Sequence, residues 1–164
     1  MTRPDPINLL LATLLLSALP AHAEMAFKAE ALLATPATAR AGALIACATG
    51  ALDPAAADKA LTDAGWAKTP GEGDGTFDYA MENLTVLMWD TPGFCMVDDR
   101  QASTTDMANT FLGLSNLPPD IGTDADGCTT YILDTGVTAT LNGPGNDPTC
   151  TSDTGAAMRF SLPN

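Results

Sequence analysis

The chain has 164 residues, with 7 Lys or Arg against 20 Asp or Glu, a net charge of −13 and a pI near 4.1. Hydrophobic residues make up 46%, which excludes a disordered acidic tail. The acidic balance excludes binding to nucleic acid or anionic membrane surfaces by charge attraction.

The first expected element is a secretory signal. Arg3 precedes an apolar run from Leu9 to Leu19, and Ala21-His22-Ala23 supplies a small-x-small cleavage box. The run has 11 residues, too short to cross about 30 Å of hydrocarbon. The expected organisation is a signal over 1–23 and one domain over 24–164. Cleavage would remove Arg3, Asp5 and His22, the only histidine, and leave the net charge at −13. Export predicts a periplasmic or secreted location.

Four cysteines, Cys47, Cys95, Cys128 and Cys150, read as disulfides in an exported chain. The pairing Cys47–Cys95 with Cys128–Cys150 is favoured because each bridge closes within its own half. There is no C-x-x-C pair, and no histidine follows the signal, so zinc is not expected.

Residues 24–67 hold 17 Ala, whereas 68–164 hold 16 of the 22 Thr. Helix is expected first and sheet after it. Met25, Ala29, Leu32 and Leu33 form one stripe, ended by Pro36. Ala41, Leu44, Ile45 and Ala48 repeat the helical spacing, with Cys47 beside them and Gly50 at the stop. Asp53-Pro54 predicts an N-cap and first helical residue, Gly65 a C-terminal stop, and Ala57, Ala60, Leu61 and Ala64 the inner face.

Pro70 to Gly75 reads as a loop. Phe77, Tyr79 and Met81 alternate as a half-buried strand, and Glu82-Asn83 turns into Leu84 to Trp89. Thr91-Pro92-Gly93 leads to Phe94-Cys95-Met96-Val97, completing a three-strand meander. Ser103 and Asp106 predict a capping box for a helix faced by Met107, Ala108, Phe111 and Leu112 and ended by Gly113. A polar stretch from Pro118 to Gly127 precedes strands at Thr129–Leu133, Val137–Leu141 and Met158–Leu162. The expected fold is α+β: N-terminal helices and one middle helix on an antiparallel sheet of about six strands. The order suggests a degenerate duplication of a helix-plus-meander unit.

Asp134-Thr135-Gly136 and Asp153-Thr154-Gly155 resemble the signature of the aspartic protease family, in which two Asp share a proton and activate water. The copies are too close to represent two lobes, and too little chain follows the first for a flap. A tight turn explains Asp-Thr-Gly better. Asp124-Ala125-Asp126-Gly127 matches part of an EF-hand loop, but the register puts Gly122 and Leu133 where oxygen donors belong. An irregular calcium site from Asp120, Asp124 and Asp126 is the weaker alternative.

With no histidine left after cleavage, Ser-His and Cys-His dyads are impossible, and Ser103 is already assigned as a cap. Asp98 and Asp99 are adjacent on a strand and should face opposite ways. Glu72 and Glu82 carry no catalytic signature. Met81, Met88 and Met96 suit core packing better than a copper site. Asn83-Leu84-Thr85 matches a glycosylation acceptor. No catalytic residue and no cofactor is assigned. The expectation is a non-catalytic, exported acidic domain that binds a protein partner, with a basic partner compatible with its charge. A carboxylate-dependent hydrolase and a calcium-stabilised module are the alternatives.

Overall fold

The computed structural model describes residues 29–114, 119–144 and 149–163. The expected signal at 1–23, together with Met25 and Pro118, lies outside them.

Residues 29–33 are helical (α1), and Pro36 opens the next helix, α2 (Pro36–Gly50). α3 (Pro54–Asp63) begins as expected: the Asp53 carboxylate accepts the Ala56 N–H at 3.1 Å. Gly65 ends it at φ +86. The Gly65 N–H reaches the Thr62 carbonyl and the Trp66 N–H the Leu61 carbonyl, a Schellman closure. Trp66 then folds into the core, and its indole N–H donates to the Leu33 carbonyl at 3.3 Å. α4 (Thr104–Leu114) starts with the reciprocal box, the Asp106 N–H donating to Ser103 Oγ and the Ser103 N–H to the Asp106 carboxylate. Gly113 lies inside its last turn instead of after it.

The sheet has eight strands, not about six. They are β1 (Ala67–Pro70), β2 (Thr76–Met81), β3 (Leu84–Trp89), β4 (Phe94–Asp99), β5 (Asp120–Thr123), β6 (Thr129–Ile132), β7 (Thr138–Asn142) and β8 (Ala156–Ser161). The two unexpected strands, β1 and β5, are the edges. Each has four residues and is almost wholly exposed, so neither carries an apolar alternation. The order is β1-β2-β3-β4-β8-β7-β6-β5, every pairing antiparallel. It consists of two four-stranded meanders, each preceded by helix, joined through β4 and β8. Each meander has four strands, where the sequence predicts three.

The helices cover one face. On that face lie Leu84, Val86 and Met88 of β3, Cys95 and Val97 of β4, and Met158 and Phe160 of β8, all buried. Phe111 of α4 packs on Tyr131 and Phe160, with ring centroids 5.2 and 5.9 Å apart. The inner face of α2 is Ala39, Gly42, Ala43, Leu44, Ala46, Cys47 and Gly50. This corrects the Ala41, Leu44, Ile45, Ala48 stripe; of these, only Leu44 is buried. α2 touches α3, α4 and three strands at once, so small residues are buried around most of its circumference.

Both favoured disulfides are present. Cys47–Cys95 joins α2 to β4, with Cα atoms 5.2 Å apart. Cys128–Cys150 joins the start of β6 to the segment before β8, at 4.7 Å. They suggest an oxidising, extracellular environment. Among the described residues, no helix is long and apolar enough to cross a membrane.

Candidate functional site

Register disperses most of the sequence candidates. Thr138 pairs with Ser161 and Asn142 with Ala157. Asp134-Thr135-Gly136 therefore lies beyond one end of the β7–β8 pair and Asp153-Thr154-Gly155 beyond the other. The first is a tight turn: Gly136 has φ +82, and the Leu133 N–H donates to the Val137 carbonyl. Glu72 and Glu82 likewise flank opposite ends of β2.

Asp124 is used locally. Its Oδ1 accepts the Asp126 N–H at 3.0 Å and the Cys128 N–H at 2.8 Å, which shapes the β5–β6 turn. Asp120 lies at the far end of β5, opposite Ile132. Among the described residues no three His, Cys, Asp or Glu gather as a metal site. Met81 and Met88 share the helix-covered face at opposite ends of their strands, while Met96 pairs with Leu87 on the other face.

Asp98 and Asp99 do point to opposite faces. Asp99 is buried on the helix side, where its Oδ2 accepts Arg40 Nε–H at 2.6 Å and its Oδ1 the N–H groups of Gln101 and Ala102. This pair floors a small cleft between α2, the Glu82-Asn83 turn and α4.

A second cleft lies between α3 and the β1–β3 end of the sheet. Asp58 Oδ1 accepts both Lys68 Nζ at 2.8 Å and the buried Tyr79 hydroxyl at 2.7 Å. Lys68 Nζ also lies 4.2 Å from the Phe77 ring centroid and 5.5 Å from that of Tyr79. Burial works to raise the Asp58 carboxyl, but the two hydrogen bonds and the Lys68 charge outweigh it and hold it below the ordinary value. Burial first, and donation to Asp58 second, push the Tyr79 hydroxyl well above its ordinary range. The sequence does not show this group, because it assigns no element to Ala67-Lys68-Thr69. Recognising β1 would have exposed it, since pairing sets Lys68 opposite Tyr79.

The face away from the helices is open, with no described helix against it. Strand alternation puts Thr85, Leu87 and Trp89 there from β3, and Phe94, Met96 and Asp98 from β4. Thr138 and Thr140 of β7 and Ile132 of β6 continue it. Trp89 is 44% exposed and Ile132 47%. Trp89 and Phe94 pack ring to ring with centroids 5.3 Å apart. Asp78 lies on this face opposite Leu87; burial, then the nearby Glu72 charge, raises its carboxyl.

No family model matches the chain, and neither a curated protein nor a solved structure matches it.

Proposed function

We propose that the chain is a periplasmic or secreted, non-catalytic acidic domain that binds a protein partner through the open face of its sheet. The observation that carries this reading is the apolar band Leu87, Trp89, Phe94 and Met96 in the middle of that face. Aromatic and Met side chains are enriched where proteins meet, and an exposed Trp packed on a Phe is a ready anchor. Among the described strand residues, Asp78, Asp98 and Asp120 share the face with Arg159. With a net charge of −13 this favours a partner with Lys or Arg around an apolar spot. Asp134 and Asp153 lie beyond opposite ends of the β7–β8 pair, which supports this reading over a carboxylate hydrolase.

The test is capture from an exported-protein extract, followed by purification of the captured protein and direct binding. Trp89→Ser should weaken that purified partner by at least about tenfold, as an interface anchor does. Lys59→Ala, on the helix side, should leave it unchanged. Rising salt should weaken binding further. Equal affinity for the wild type and Trp89→Ser would overturn the reading.

A further inference from the structure

The second cleft, on the helix side of the sheet, points to a distinct activity, although Trp89 at the end of β3 borders both it and the open face. We propose that it is a receptor for an alkylammonium group, and that Lys68 is the chain's own stand-in for that ligand. Three observations support this.

First, the cleft already holds an ammonium in the arrangement such groups are recognised by. Lys68 Nζ has a carboxylate at 2.8 Å, Asp58, and an aromatic face at 4.2 Å, Phe77. The carboxylate is fixed in place by the Tyr79 hydroxyl, so the cradle does not depend on the lysine for its shape. Second, the cleft has two carboxylates and one cation. Asp90 lines it alongside Asp58, its carboxylate lying over Gly75, and no ion pair to it forms among the described residues. Third, the resident lysine is easy to displace. Its side chain is 33% exposed, and it sits on an edge strand of four exposed residues.

Size narrows the ligand further. The cleft encloses about 190 Å³, below the usual span of small-molecule pockets. An ammonium on a short aliphatic stem fits that space. Met88, 1% exposed, supplies an apolar wall for the stem. On binding, the ligand's ammonium takes the place of Lys68 Nζ at Asp58 and over Phe77, and Lys68 swings out to water. The exchange is nearly even at Asp58, so the gain comes from the stem packed on Met88 and from the cleft's excess of negative charge. The ammonium can come from a free amine or from a lysine side chain of another protein.

The test is an NMR titration of the disulfide-bonded chain with n-butylammonium chloride, reading the Phe77 and Tyr79 ring signals against equal sodium chloride. Saturable shifts of both rings are expected. Lys68→Ala removes the competitor and should tighten binding about tenfold, the factor by which a mostly filled cradle penalises its ligand. Asp90→Asn should weaken it several-fold. A capped tripeptide with lysine at its centre separates the sources: tighter binding than butylammonium assigns the group to a protein side chain, and weaker binding to a free amine. If Lys68→Ala does not fold, the wild-type titration with Asp90→Asn decides. Unsaturable shifts equal to those in sodium chloride overturn the proposal, as does weaker binding by a folded Lys68→Ala.

Discussion

Arg40 Nε donates to Asp99 Oδ2 at 2.6 Å, joining α2 to the last residue of β4. The Asp99 side chain is 5% exposed and that of Arg40 31%. The carboxylate therefore depends on this guanidinium and on two backbone N–H groups, with little help from water. Removing the arginine leaves a buried charge partly satisfied. Arg40→Met should destabilise the fold by about 1–3 kcal/mol, less than for a fully buried pair because solvent reaches the arginine. Asp99→Asn in the Arg40→Met background should recover part of that loss. Urea denaturation of the single and double variants checks this; an Arg40→Met as stable as the wild type would show the pair to be dispensable.

Tyr79 and Asp58 set opposite ends of the pH profile. The Tyr79 hydroxyl titrates higher in the folded chain than unfolded. Its contribution is therefore complete below about pH 10 and is lost as pH rises through the folded value. Asp58 is held below its ordinary value, so its contribution is present above about pH 4 and is lost as pH falls through the folded value. Tyr79→Phe should flatten the alkaline fall in Tm without abolishing it, because burial also raises Tyr131. Asp58→Asn should flatten the acid fall. Melting followed by circular dichroism from pH 3 to 12 reads both slopes.

Asp124 makes the β5–β6 turn by accepting two backbone N–H groups on one oxygen. Asp124→Ala should cost about 1–2 kcal/mol, since it removes two such bonds in an exposed turn. Millimolar calcium should not move the melting midpoint relative to chelator, since a ligand bound only by the folded state would raise it. A rise of several degrees with calcium, lost in Asp124→Ala, would restore the metal reading.

The Cys47–Cys95 bridge closes 48 residues and Cys128–Cys150 closes 22. Chain entropy alone assigns about 3–4 kcal/mol to each. Cys47 and Cys95 are both fully buried between α2 and β4, so their loss also opens a packed layer. The double replacement Cys47→Ala with Cys95→Ala should therefore cost more than the matching change at Cys128 and Cys150. Equal urea midpoints for the two pairs would contradict this.

The features legible from sequence were those set by local chemistry. Asp53-Pro54, Gly65 and the Ser103–Asp106 box each fix a helix end with residues three or four apart, and all three ends form. The meander β2–β4 was legible because Phe77, Tyr79, Leu84, Val86 and Met88 bury one face. β1 and β5 were not, because Ala67-Lys68-Thr69-Pro70 and Asp120-Ile121-Gly122-Thr123 have no buried side to mark. Only a neighbouring strand makes them strands. The α2 stripe was misplaced because a run of Ala offers little contrast in volume from face to face. The Arg40–Asp99 and Asp58–Lys68–Tyr79 groups were invisible for another reason: their members meet through tertiary packing and strand register, at spacings no motif records.

Gly50 and Gly113 give a paired test of how α2 and α4 are seated. Both are helical, and alanine is the better helix former by about 1 kcal/mol. At Gly113 an added Cβ meets nothing within 4 Å. Gly113→Ala should therefore stabilise by about that amount. At Gly50 the Cβ would lie 2.8 Å from Met88 Sδ and 3.0 Å from Ala57 Cβ. Met88 can turn aside, but Ala57 is fixed on the backbone of α3, and the nearby Cys47–Cys95 bridge keeps α2 from backing away. Overpacking of this kind costs about 1–3 kcal/mol, which exceeds the propensity gain, so Gly50→Ala should destabilise. The signs decide the matter: urea midpoints moving up together would mean that α2 does not rest on Met88 and Ala57 in solution.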